Sequence, residues 1–182
     1  MAKEDNKTRR TGRRAYLNDI QPSLSGEYVY VGAHYRFVAE EKTYLRSMLE
    51  ISVLAFLSLA GFLAAGFVRA GGMSNCIYVL VPYMAEAIAV FTLLLALGKA
   101  LIKGRRLREY EYEASIVKLP VRALLSAVFS AVGLIGIIIF VIINGAGGSV
   151  AELVVLLVGK VVSVVAPVAL RKLMAALHWE KE

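Results

Sequence analysis

The chain has 182 residues, 58% of them hydrophobic and only 19% charged, with a formal net charge of +7. These proportions exclude an ordinary soluble domain of this length, which carries more charge and shorter apolar runs. Apart from Arg69 and Lys160, the basic residues fall before residue 47, between residues 99 and 122, or after residue 170. That is the distribution of a membrane protein with basic segments on one side, so the positive balance is not a nucleic-acid signal. The single cysteine, Cys76, excludes an intrachain disulfide and leaves no cysteine pair for a structural zinc site or a redox motif.

Residues 1 to about 20 are polar and basic without apolar periodicity, and read as a disordered tail. The first apolar run begins only near Met48, too far along for a cleavable signal peptide. Residues 22–38 read PSLSGEYVYVGAHYRFV, with Tyr28, Tyr30, Tyr35 and Phe37 interleaved with Val29 and Val31. Two readings stand side by side: a short β-hairpin turning at Gly32-Ala33, or an extended aromatic segment resting on the lipid headgroups. An isolated two-stranded hairpin is marginal, so it needs the membrane or a further strand. Tyr110 and Tyr112, alternating with Glu109, Glu111 and Glu113, are candidates for that strand. Residues 1–46 together form a basic cytoplasmic tail with a Tyr-rich segment.

The membrane domain covers residues 47–170, with spans at about 47–68, 77–102, 120–143 and 150–170. The first holds Ala60, Gly61, Ala64 and Ala65, overlapping small-xxx-small steps that admit a close neighbour. Glu50 in its first turn reads as an interfacial charge. Pro82 interrupts the second span and is expected to kink it, with Glu86 one turn later. Residues 103–118 read as a helical extension of this span or as a short strand and turn, with Arg105 and Glu109 as an i,i+4 pair in the helical case. Pro120 suits the first turn of the third span. Ala123, Ala127 and Ala131, beside Ser126 and Ser130, give that span a small packing face. The fourth span, VAELVVLLVGKVVSVVAPVAL, has Lys160 at its centre and a second expected kink at Pro167. Leu170, Leu173, Met174 and Leu177 recur at helical spacing, so residues 171–182 read as a cytoplasmic interfacial helix with Trp179 at headgroup level.

Segments 1–46, 99–122 and 171–182 hold nine, seven and three Lys/Arg, whereas 70–76 and 144–149 hold none. The positive-inside rule then places both termini in the cytoplasm, and the expected location is the plasma (cell) membrane. The expected class is an all-α integral membrane protein, a four-transmembrane-helix bundle, with the short N-terminal β-hairpin as an optional addition.

Depth makes the reading specific. Glu86 and Lys160 lie about nine and ten residues past the outer starts of their spans. At ~1.5 Å per residue, both are ~14–15 Å deep, near the middle of a ~30 Å core. Each charge alone costs ~2.5–3.5 kcal/mol there on insertion scales. Opposite charges at matched depth on helices of the same direction are expected to pair. A lysine that snorkels and a glutamate kept protonated by burial are the alternatives. Arg69 and Glu152 form a second candidate pair at the outer edge.

The two histidines, His34 and His178, lie outside the spans, and no nucleophile–base constellation, metal-ligand cluster or phosphate loop is apparent. The expected function is therefore that of a non-enzymatic accessory or assembly subunit of a membrane complex, without cofactor or metal. The alternative is a small transporter or channel subunit using Glu86 and Lys160, and four spans would then require an oligomer. The expected partner is the lipid bilayer, with other membrane subunits or a second copy as further candidates, and no nucleic acid is expected.

Overall fold

The structure is a computed structural model that describes residues 19–22, 26–67, 76–145 and 149–182. The N-terminal tail to residue 18 lies outside the described residues.

Four long helices carry the apolar runs: α1 (Glu41–Phe67), α2 (Ile77–Lys103), α4 (Leu119–Asn144) and α5 (Val150–Ala175). A four-residue helix α3 (Glu109–Tyr112) and a π-helical turn (Glu113–Val117) lead into α4. Each long helix has 26 or 27 residues, so it is ~40 Å long against a hydrocarbon core of ~30 Å. All four are apolar enough to cross a membrane, yet at most 39% of the most apolar stretch of any of them is buried. Phe56, Ile88, Ile135 and Val158 are among the large side chains left outside. An apolar surface of this extent cannot face water in a monomer, and acyl chains are the medium that fits it.

Local chemistry sets the helix ends. Ser149 caps α5, accepting from the Glu152 amide while the Glu152 carboxylate accepts from the Ser149 amide. This reciprocal box satisfies amide donors that the first turn leaves free. Pro120 occupies the first turn of α4. Gly145 ends α4 at φ 79°, a conformation open to glycine and costly for other residues. α2 runs unbroken through Pro82 and α5 through Pro167.

In the bundle α1 packs along α5, α5 along α4, and α4 along α2, while α1 and α2 touch less. Glycines bring helix backbones close together at two places. A Cβ added at Gly61 would lie 2.5 Å from the Gly159 carbonyl oxygen, and one at Gly136 would lie 2.7 Å from the Tyr78 carbonyl oxygen. α1 therefore meets α5 backbone to backbone, and α4 meets α2 in the same way. In lipid, where apolar side chains gain nothing by leaving acyl chains for each other, such contacts are what favours association. The Ala123, Ser126, Ala127 and Ser130 stripe of α4 is buried in the same packing.

One end of the bundle carries β-structure. Strand β1 (Ile20–Pro22) pairs antiparallel with β2 (Tyr28–Tyr30). Strand β3 (His34–Phe37) is the centre of a separate three-stranded antiparallel sheet, flanked by β4 (Arg106–Arg108) and β5 (Trp179–Lys181). The two halves on either side of Gly32-Ala33 are thus not paired with one another. Residues 106–108, one step before the Tyr110/Tyr112 stretch, supply the neighbouring strand, and Tyr110 and Tyr112 fall in α3. Their rings still reach the strands, Tyr112 stacked on Tyr35 of β3 at 4.1 Å between centroids and Tyr110 edge-on to Tyr30 of β2 at 5.9 Å.

The C-terminal tail departs from the interfacial helix that its apolar spacing suggests. α5 stops at Ala175 and the chain turns into β5, where Trp179 lies against Phe37 at 5.5 Å and Tyr112 at 5.6 Å. Backbone pairing with β3 and an aromatic cluster outweigh continued helix here. The expected Arg105–Glu109 pair is replaced as well: Arg105 Nη2 donates to the Ala39 carbonyl at 2.6 Å, and Glu109 pairs with Lys181 at 3.3 Å. Arg36 and Arg106 stand opposite each other across β3 and β4, and the Glu182 carboxylate reaches both, at 3.6 and 3.0 Å. Beneath the sheet, Phe37 and Leu107 join the helix core that includes Leu93, Leu97 and Met174.

Two glycines separate packing from propensity. Gly61→Ala should destabilise the fold by ~1–3 kcal/mol, because its methyl meets backbone that cannot yield without parting the helices. Gly98→Ala, where an added Cβ meets nothing within 4 Å, should be neutral or stabilise by up to ~1 kcal/mol through helix propensity. Thermal unfolding in one detergent compares the two variants, and equal shifts would contradict the close α1–α5 contact.

Candidate functional site

The site lies where all four long helices face inward. Glu86 comes from α2 and Lys160 from α5, and the Lys160 ammonium donates to Glu86 Oε2. The residues are 0% and 1% exposed, so the pair is sealed from the surface. A charge at this depth is tolerated only when neutralised or paired, and here the two side chains neutralise each other.

The other helices complete the enclosure. Tyr83, three residues before Glu86 and on the same face of α2, presents its ring to the Lys160 ammonium at 5.0 Å from the centroid. The ring quadrupole favours a cation in that position. Phe62 of α1 stacks on the far side of the assembly, its ring 4.6 Å from that of Tyr83. Gly133 of α4 faces the ammonium, and a Cβ there would lie 3.4 Å from Lys160 Nζ, in van der Waals contact with it.

The pairing leaves polar atoms over. Glu86 Oε1 and the hydroxyls of Ser58, Ser126 and Ser130 are buried without a hydrogen-bond partner among the described residues. Three contacts fix the register of α2 against α4: Tyr78 faces Gly136, Pro82 faces Gly133, and the Thr92 carbonyl accepts from Arg122 Nη1 at 3.1 Å. Interpolation places Glu86 level with the turn between Ser126 and Ser130. Each of these buried oxygens keeps unused hydrogen-bonding capacity. On the α1 side, Ser163 is tied down, donating to the Ser58 carbonyl at 3.3 Å.

The structure thus brings Glu86 and Lys160 together. Pro82 and Pro167 both line the interior, Pro82 beside Gly133 and Pro167 fully buried. Glu152 is engaged in the α5 cap, and Arg69 lies outside the described residues. Glu50 is an exposed partner of Arg46 at 3.0 Å. Among the described residues no three His, Cys, Asp or Glu side chains cluster as metal ligands would. Tyr83 and Gly133 were not singled out from the sequence. The i,i+3 spacing of Tyr83 from Glu86 was the available signal for the first. Gly133 had none, because its role depends on which helix face meets Lys160.

Comparison with known proteins returns no match: no family model, no curated protein and no solved structure.

Substitution at the pair has a definite expected pattern. Glu86→Gln or Lys160→Met alone leaves the other group uncompensated and should cost ~3 kcal/mol or more. The double variant should cost less than the sum by ~1–3 kcal/mol, the coupling expected of side chains in contact. Unfolding of the purified variants in detergent measures the cycle. Strict additivity would mean that the two groups do not interact in the folded protein.

Proposed function

We propose that the protein is a non-enzymatic integral membrane protein, an accessory or assembly subunit of a membrane complex, with both termini in the cytoplasm of a cell whose plasma membrane it occupies. The observation that carries this reading is the closure of the Glu86–Lys160 pair. Both mid-membrane charges are spent on each other, with Tyr83 and Phe62 stacked over them, so the polar groups hold helices together and none is offered at the surface. The bundle then presents lipid-facing helix surfaces together with a basic, aromatic sheet at one end. Those are surfaces that other membrane subunits can read.

A second reading, a small transporter or channel subunit, is favoured by the buried polar atoms that have no partner among the described residues, Glu86 Oε1 and the hydroxyls of Ser58, Ser126 and Ser130. The free Oε1 and the Ser126 and Ser130 hydroxyls could serve a solute or ion if the pair opened, and such a path would need an oligomer to widen it.

One experiment separates the readings. Glu86→Gln and Lys160→Met are reconstituted with wild type into vesicles, and both folding and solute leakage are measured. In an accessory subunit the variants lose stability and steady-state abundance, and the wild type shows no flux above protein-free vesicles. Folded variants that have lost a flux present in the wild type would establish transport instead.

The orientation is tested separately. Reporter fusions after Gly72 and Gly147 should read outside, and fusions after Arg106 and Glu182 inside. Cys76, at the start of α2, should react with an impermeant maleimide in intact cells. Labelling only after lysis would reverse the topology.

A further inference from the structure

We infer that the lipid-facing flank of the α2–α4 seam, at the end of the bundle that carries the sheet, binds one anionic phospholipid by its phosphate, held by Arg122, Lys118 and Lys99. Arg122 is the starting point. Its Nη1 donates to the Thr92 carbonyl at 3.1 Å, which fixes the guanidinium in the seam between the two helices. It is half-buried and makes no ion pair among the described residues. One carbonyl dipole does not neutralise a full charge, and an arginine fork that has used one N–H still offers the others to a phosphate. The neighbouring charges have the same sign. Lys118, at the N-cap of α4, lies one turn before Arg122 and accepts its amide at 3.1 Å. Lys99 follows Thr92 by two turns on the same face of α2. Because α2 and α4 run antiparallel, ~6 Å along α4 and ~10 Å along α2 lead from the Arg122–Thr92 contact to the same end. Both lysines are exposed and outside any ion pair among the described residues, whereas Ala96, Ala100, Leu119 and Ala123 beside them are buried.

Depth agrees with the chemistry on both helices. A hydrocarbon thickness of ~30 Å is ~20 helical residues, which reach Leu97 counted from Ile77 and Leu124 counted back from Asn144. Lys99, Arg122 and Lys118 therefore lie within two turns beyond the acyl region, at phosphate level. On the membrane side of them, Leu95, one turn before Lys99, and Leu125, one turn after Arg122, are exposed. Acyl chains continuing from a phosphate held at this level run down over those two leucines. The charge balance is positive. α4 carries no acid, and the only acid of α2 is Glu86, which is spent on Lys160. In the connection, Glu111 pairs with Lys103 and Glu109 with Lys181. With exposed Glu113 counted, three basic groups face one carboxylate. Such a surplus between two spans selects a net-negative headgroup over a zwitterionic one.

The test is native mass spectrometry of the full chain in detergent, titrated with phosphatidylglycerol or with phosphatidylcholine of the same acyl chains. Wild type should retain one phosphatidylglycerol at least fivefold more tightly than phosphatidylcholine. Arg122→Gln should abolish the preference. Lys99→Ala with Lys118→Ala, which removes two exposed side chains and leaves the helix contact of Arg122 in place, should reduce it at least threefold. This pair carries the test if Arg122→Gln does not fold. Arg171→Ala with Lys172→Ala removes the same number of charges at the matching depth of α5, outside the seam, and should alter nothing. Water-soluble glycerol phosphate in large excess should not displace the lipid. Equal retention of the two lipids by wild type would overturn the site, as would a preference untouched by loss of Lys99 and Lys118. An equal loss in the α5 variant would reduce the preference to diffuse surface charge. Displacement by glycerol phosphate would assign the basic groups to a soluble anion instead of a lipid. Circular dichroism of each variant establishes that it is folded before its lipid binding is compared.

Discussion

A carboxylate and an ammonium placed separately in hydrocarbon each lose their water and receive nothing in return. The structure depends on their meeting. Glu86 and Lys160 belong to α2 and α5, which are not among the principal packing pairs of the bundle. The helices that do pack closely are α1 with α5, α5 with α4, and α4 with α2, so α2 and α5 stand across the middle from each other. A short side chain could not span that distance. The long lysine stem can, and it passes against Gly133 on α4. The pair, its glycine and the Tyr83–Phe62 stack draw one element from each helix into a single interior contact.

The sheet is the second constraint. Its three strands come from before α1, from between α2 and α4, and from after α5. Three remote parts of the chain are therefore joined by backbone hydrogen bonds at one end of the bundle. β3 lies at the centre with its ladder satisfied on both sides, which removes the marginality of a lone hairpin. Phe37 inserts beneath it against Tyr44 and Trp179. Helix positions set by the interior pair are thus tied again at the end, where water competes for hydrogen bonds and aromatic burial is correspondingly favourable.

The helices and the pair were legible because each rests on a local quantity. Span length needs only a run of apolar residues, and the depth of Glu86 and Lys160 follows from counting along two runs of the same direction. Small-residue stripes at Gly61 and Ala123 mark close packing for the same reason. The sheet was not legible in its pairing. The Tyr28–Phe37 stretch has strand chemistry, but the partners of its His34–Phe37 half lie some seventy and one hundred and forty residues away, and sequence periodicity carries no information about such distances. The tail misled because Leu170, Leu173, Met174 and Leu177 do follow helical spacing, and only the ladder with β3 takes the chain out of the helix. Glu109 and Arg105 likewise satisfy an i,i+4 rule that applies only if the backbone between them is helical.

The pair also answers a question that apolar helices leave open. In water, burial of Leu and Val decides which face of a helix turns inward. In a bilayer, acyl chains are as apolar as those side chains, so turning a Val-rich face inward or outward changes little. α5 illustrates this: Val154, Val155, Val158, Val161 and Val165 are all exposed, while Gly159, Lys160, Ser163 and Pro167 face the core. The buried face of α5 thus carries small and polar residues beside Leu156, Leu170 and Met174, while these valines are turned outward. Glycines and serines permit approach along that face but do not prescribe its depth. A charge pair does, because sliding α5 past α2 by one turn would move the ammonium ~5.4 Å along the axis and break the contact. Replacement by well-packed apolar residues could match the pair in stability, so what the ions add is register: they fix which face of α2 and α5 is interior and at what depth the two helices stop.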